Sequence, residues 1–231
     1  MAPKTKTVEK QTAAKAPKRR LVDDATVKVQ LRRLQKILPD ATCALHHRSG
    51  WELLVATILA AQCTDKLVNE VTPALFERYP SPTELANAEQ ADVEKLVGRV
   101  TFFRNKSRHI IATARAIVAE HGGEVPQSMA ALVELPGVAR KTANVVLGTA
   151  YGIASGFVVD THVNRVSNRL GFVAADDPVK IEAALMQRVP KSRWILLAHQ
   201  LILHGRQTCD ARRPSCETCV LAPDCPSAGV G

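Results

Sequence analysis

Apolar residues recur at helical spacing along most of this chain. Val27, Leu31, Leu34 and Leu38 fall three or four residues apart and stop at Pro39, which predicts a first helix from about Asp24. A second, almost wholly apolar helix is predicted from about Trp51 to Cys63. Ser81-Pro82-Thr83-Glu84 joins a capping box to a proline at the first helical position, and Asp177-Pro178 is another cap-and-proline start. The same periodicity predicts helices over about 89–97, 105–120, 128–134, 140–151, 161–170, 178–188 and 191–204. No stretch sustains the alternation of a strand. The predicted fold class is all-α.

Composition narrows the picture. With 231 residues, 46% hydrophobic and 23% charged, the chain has material for one domain or two small lobes and a core that needs no disulfide staples. Only 4% of residues are aromatic, which argues against a β-sandwich. The longest uncharged run, Thr142 to Val159, holds Asn144, Ser155 and three glycines, so no membrane span is expected.

The net charge of +9 points towards nucleic acid or an anionic surface, but residues 1–20 alone carry +6 of it. Residues 1–22 mix Lys, Ala, Thr, Pro and Gln with few large apolar side chains and are expected to be disordered. Such a tail either attracts DNA phosphates non-specifically or merely solubilises the chain. The N-terminus has no apolar signal-peptide core, so a cytoplasmic protein is expected, or a nuclear or mitochondrial one in a eukaryote.

Cys43 and Cys63 stand alone, whereas Cys209, Cys216, Cys219 and Cys225 fall within seventeen residues. In a non-secreted chain that cluster reads as a metal site before a disulfide framework. The Cys216-x2-Cys219 pair alone would suit zinc. The flanking gaps of six and five are atypical of zinc modules, and four thiolates from one loop suit a 4Fe–4S cluster, one per iron.

Leu135-Pro136-Gly137-Val138-Ala139-Arg140-Lys141-Thr142-Ala143 lies between two short helical patterns. Pro136-Gly137 makes a tight turn, the second helix starts near Arg140, and the free backbone N–H groups there can receive a phosphate oxygen. Taken alone, a Pro-Gly turn between helices favours an αα-hairpin without a ligand. The nine-residue run continues into a Gly/Ala-rich helix, Val158-Val159-Asp160-Thr161-His162-Val163 and Arg165, with the four cysteines downstream. In this combination the chain resembles the endonuclease III family of base-excision DNA glycosylases with lyase activity. The likeness spans about residues 25–226. One departure is visible, since the family usually has a second hairpin glycine where this chain has Ala139.

The resemblance implies two helical lobes around a DNA-binding cleft. A six-helix barrel with the helix-hairpin-helix would cover 43–153. The first helix, 23–42, would pack with residues 154–231, which carry the cluster loop. It further implies Lys141 as the nucleophile that attacks C1′ and forms a Schiff base. Asp160 would be the carboxylate supporting that chemistry, although Asp before Thr is also an ordinary N-cap. Nucleophilic attack requires a neutral lysine amine, favoured by burial or by nearby positive charge such as Arg140. Gly137, Ala139 and Arg140 would meet a phosphate, and Arg212 and Arg213 would meet others. Gln62, in Ala61-Gln62-Cys63-Thr64-Asp65, would enter the base stack. Phe102 matches a second wedge, whereas Phe103 is expected in the core.

The implied cofactor is the 4Fe–4S cluster on Cys209, Cys216, Cys219 and Cys225. The implied partner is double-stranded DNA with damaged bases or abasic sites, met by a monomer. The expected activity is removal of oxidised pyrimidines followed by β-elimination. The alternatives are a mismatch-specific thymine or uracil glycosylase and a non-catalytic iron–sulfur DNA-binding protein.

Overall fold

The computed structural model describes residues 20–229, so most of the basic tail lies outside the described residues. Among these residues the regular structure is helical throughout: eleven α-helices, three short 3₁₀ turns and no strand. In chain order the helices are α1 (Asp24–Ile37), α2 (Gly50–Leu59), α3 (Asp65–Arg78), α4 (Pro82–Ala86), α5 (Gln90–Val97) and α6 (Phe103–His121). They continue with α7 (Met129–Glu134), α8 (Arg140–Tyr151), α9 (Thr161–Arg169), α10 (Pro178–Arg188) and α11 (Trp194–Gln207).

Most of these helices start where a short polar side chain can cap them. Asp23, Ser49, Thr64, Ser128, Asp160 and Asp177 each accept a backbone N–H from the first turn. α2 ends four residues before the predicted Cys63, because the backbone leaves helical geometry to place Gln62 at φ 55°. The sequence reading had no helix over Asp65–Arg78. Pro73 hides it by breaking the expected pattern, yet Val68, Val71, Thr72, Leu75 and Phe76 form its buried face.

Burial sorts the apolar side chains into two cores. Leu45 to Leu147, from the helices α2 to α8, make the first, with Leu53, Leu54, Leu59, Ile110 and Leu132 among its sealed side chains. Val27, Leu31 and Leu34 of α1 join Phe157, Val163, Phe172, Ile181, Leu185 and Leu201 in the second. The chain therefore starts in one core, crosses to build the other, and returns through residues 153–160. Val22, placed in the disordered tail by composition, donates its N–H to Gly171 O at 3.0 Å and packs on the second core. No helix among the described residues is long and apolar enough to cross a membrane.

Candidate active site

The crossing region is held by one buried carboxylate. Glu182 of α10, only 6% exposed, accepts Arg140 Nε at 2.8 Å and Nη2 at 3.1 Å. It also accepts Asn144 Nδ2 at 3.0 Å and the Phe157 N–H at 3.1 Å. Two donor groups and a fixed guanidinium fork offset the cost of burying the charge. Gly156 has no Cβ because one would come within 2.1 Å of Glu182 Oε1. Glu182 thus ties the N-terminus of α8 to the segment that runs into α9. Arg206 to Asp65 at 2.6 Å is a second ion pair between helices of the two cores.

The α8 end of this tie is the hairpin. Leu135 caps α7, the Val138 N–H returns to Leu135 O at 3.1 Å, and Thr113 Oγ1 donates to Pro136 O. Gly137 has φ 77°, and a Cβ there would meet His109 Cβ at 3.0 Å, so both conformation and space require glycine. Ala139 sits in extended geometry, φ −86°, where a Cβ costs nothing; the departure from the family pattern introduces no strain. α8 begins with no side-chain cap and no acidic residue in its first turn. Its free N–H groups and positive dipole end are open to an anion.

Lys141 is the second residue of α8, and its side chain is exposed. Arg140, expected to supply positive charge and phosphate contact, commits its guanidinium to Glu182. The positive charge beside Lys141 is thus paired with a carboxylate.

Asp160 is the N-cap of α9, its Oδ1 accepting the Val163 N–H at 2.7 Å. The second carboxylate oxygen has no hydrogen-bond partner among the described residues. His162, two residues on, has its Nδ1 3.1 Å from Arg165 Nη2. Burial holds its pKa below the usual histidine value, against the pull of Asp160. Arg165 also donates to Gly205 O at 2.9 Å and to Cys209 O at 3.2 Å, fixing α9 to α11 and to the cysteine loop.

Away from the hairpin, two turns carry the other expected contacts. Gln62 (φ 55°) and Phe102 (φ 56°) are the two non-glycine residues with positive φ among the described residues. Each such residue costs on the order of 1 kcal/mol or more, and strain of this kind concentrates at functional sites. Phe102 is 60% exposed, an unusual setting for a phenylalanine. Phe103 instead packs on the first core and stacks under Arg104, 4.9 Å from its ring. Thr101 Oγ1 donates to Gln62 O at 3.0 Å, joining the two turns.

Beneath them lies Lys106, 6% exposed, a residue that nothing in the sequence singles out from the basic residues around it.

Cys209, Cys216, Cys219 and Cys225 line a single pocket, with Arg169, His204 and Pro214. Arg169 Nη1 approaches Cys209 Sγ at 3.4 Å and His204 Nε2 approaches Cys219 Sγ at 3.8 Å. Burial raises the Cys219 and Cys225 thiols above the ordinary range, and the neighbouring cysteines add to it. No three His, Cys, Asp or Glu side chains among the described residues converge tightly enough to hold a single metal ion. Nearby, Asp210 Oδ1 accepts the N–H groups of Arg212 (2.8 Å) and Arg213 (3.0 Å), and this turn leaves both guanidinium groups exposed.

A helix-hairpin-helix placed at the junction of two helical lobes defines a class of DNA-repair proteins, and the comparisons agree. Residues 55–191 match the HhH-GPD superfamily of base excision DNA repair proteins, more than half of the chain. Endonuclease III of Synechocystis sp. is 53% identical over 195 residues, covering 84% of this chain and 89% of that protein. A solved structure of a trapped endonuclease III–DNA covalent intermediate is 40% identical, with a TM-score of 0.85 over 90% of this chain and 98% of that one. A thermostable thymine-DNA glycosylase shares the fold at a TM-score of 0.79 but only 21% identity. The chain belongs to the HhH-GPD superfamily and, within it, to the endonuclease III family. Membership makes it a DNA glycosylase with lyase activity in base-excision repair.

Proposed function

We propose that this enzyme removes oxidised pyrimidines of the thymine glycol type from duplex DNA and nicks the strand through a Schiff base on Lys141. The observation that carries this reading is the Glu182 tie. It holds the helix start bearing the exposed Lys141 against the segment that ends in Asp160.

In this reading the α8 N-terminus and the Gly137 turn bind a backbone phosphate, while Arg212 and Arg213 bind others. Gln62 and Phe102 fill the space left when the damaged nucleotide turns out of the stack. The Lys141 amine, desolvated by bound DNA rather than by the protein, attacks C1′. The N-glycosidic bond breaks and the base leaves with its electron pair, taking up a proton. Asp160 stabilises positive charge growing on the deoxyribose and accepts a proton from the lysine as its nitrogen bonds to carbon. The nitrogen lone pair then expels O4′, which takes up a proton as the sugar ring opens to the Schiff base. The iminium makes the 2′ proton acidic, its loss breaks the bond between C3′ and its phosphate oxygen, and water hydrolyses the imine to release Lys141.

The four thiols are read as holding a 4Fe–4S cluster. An all-thiol set lining one pocket fits a group that takes one thiolate per iron. Bound there, the cluster would clamp the loop carrying Arg212 and Arg213. Changing Cys216 to Ser should cost the brown colour of the purified protein; a colourless protein with one zinc would contradict the assignment.

Product analysis tests the substrate class. Wild-type enzyme should release base from a thymine glycol duplex and leave a β-elimination nick, with little action on a G·T mismatch. The reverse preference would favour the mismatch-specific reading, which shares only the fold at 21% identity. Duplex binding with no product on either would favour a non-catalytic protein.

A further inference from the structure

Lys106 lies on α6, one turn beyond Phe102, and is buried without a carboxylate partner. Its Nζ donates to Leu59 O at 2.8 Å and to Ala61 O at 2.5 Å. Leu59 closes α2 and Ala61 immediately precedes Gln62, so the ammonium sits at the negative end of a helix, under the turn that presents Gln62. The same residue's backbone N–H donates to Phe102 O at 3.1 Å. One residue therefore grips both positive-φ turns, while Thr101 straps them together from the exposed side. Burial pushes the Lys106 pKa below the ordinary lysine range, the mark of a charge kept at a cost. A methionine would fill the same space without that cost, so what the charge supplies is direction: two carbonyls held in fixed positions.

We propose that Lys106 is a positioning residue for duplex reading, setting the two turns so that Gln62 and Phe102 enter the base stack together. The proposal rests on the reading of those two side chains as the stack-filling pair. A single-stranded abasic site has no stack to fill, so Lys106 should matter for duplex DNA and not for the lysine chemistry itself.

The test compares β-elimination on one abasic strand, free and in duplex, using full-length purified protein: wild type, Lys106→Met, Thr101→Val, Gln62→Ala and Phe102→Ala. Lys106→Met should lose about tenfold or more on the duplex, given the cost of small misplacements, and little on the single strand. A 2-aminopurine placed opposite the site should show correspondingly less fluorescence increase. Equal loss on both substrates, or no loss on either, would overturn the proposal. Should Lys106→Met fail to fold, Thr101→Val cuts only the exposed strap and must show the same duplex-selective loss at smaller size; equal or absent loss there overturns the proposal too. If Gln62→Ala and Phe102→Ala nick the duplex at wild-type rate, the stack-filling reading itself fails. If they lose duplex activity and Lys106→Met does not, only the role of Lys106 falls.

Discussion

The hairpin at Gly137 and the paired turns at Gln62 and Phe102 all use left-handed backbone, but in opposite ways. At the hairpin the left-handed residue is glycine, so the conformation is cheap and what faces outward is bare backbone. At the paired turns the same conformation is forced on residues with side chains, and the structure holds it with a buried lysine and a threonine strap. Backbone N–H groups suit a phosphate, which has no sequence to read. A side chain is needed where a vacated place in the stack must be filled. The strain marks where the chain gives up stability to keep a particular side chain in place.

Changes at the hairpin should therefore affect every DNA substrate alike, and changes at the turns should affect duplex alone. The largest effect is expected from Gly137→Ala, which meets both an unfavourable φ and the His109 side chain. Stability should fall by about 1–3 kcal/mol, read by thermal melting, and affinity for single-stranded and duplex abasic DNA should drop together. Selective loss on duplex would break the comparison.

Phe102→Gly should act in the opposite sense on stability. Relief of the positive φ offsets the added freedom of the unfolded chain, leaving stability equal or raised by up to about 1 kcal/mol, read as an equal or higher melting temperature. Duplex processing should nevertheless fall, a trade of stability against activity; a clear drop in melting temperature would show that no strain is stored there.

The smallest effect is expected from Ala139→Gly. Ala139 is already in extended geometry, so restoring the second hairpin glycine should leave DNA affinity within about twofold, measured by salt-controlled titration. A large gain would mean that the alanine Cβ holds the phosphate off.

Much of this fold was legible in the sequence because helices announce their ends. Asp177-Pro178 and Ser81-Pro82 mark starts that the structure places at the same residues, and the apolar spacing of Val27, Leu31 and Leu34 marks the buried face of α1. α3 stayed hidden because Pro73 lies in its middle, a residue that normally ends a helix. The hairpin was legible because Pro-Gly is a local signal. Lys106 and Glu182 were not, since each sits among charged neighbours and acquires its meaning only from carbonyls or donors brought in by distant segments. The positive φ of Gln62 is likewise set by contacts from residue 101, far away in sequence.

The central claim is that Lys141, on the hairpin's exposed helix start, forms the covalent bond to DNA. Borohydride trapping on a duplex with one thymine glycol, wild type against Lys141→Gln, tests it most directly. The account predicts a protein–DNA adduct with wild type and none with the variant, which should still fold and bind the duplex. An adduct formed equally by Lys141→Gln would contradict it.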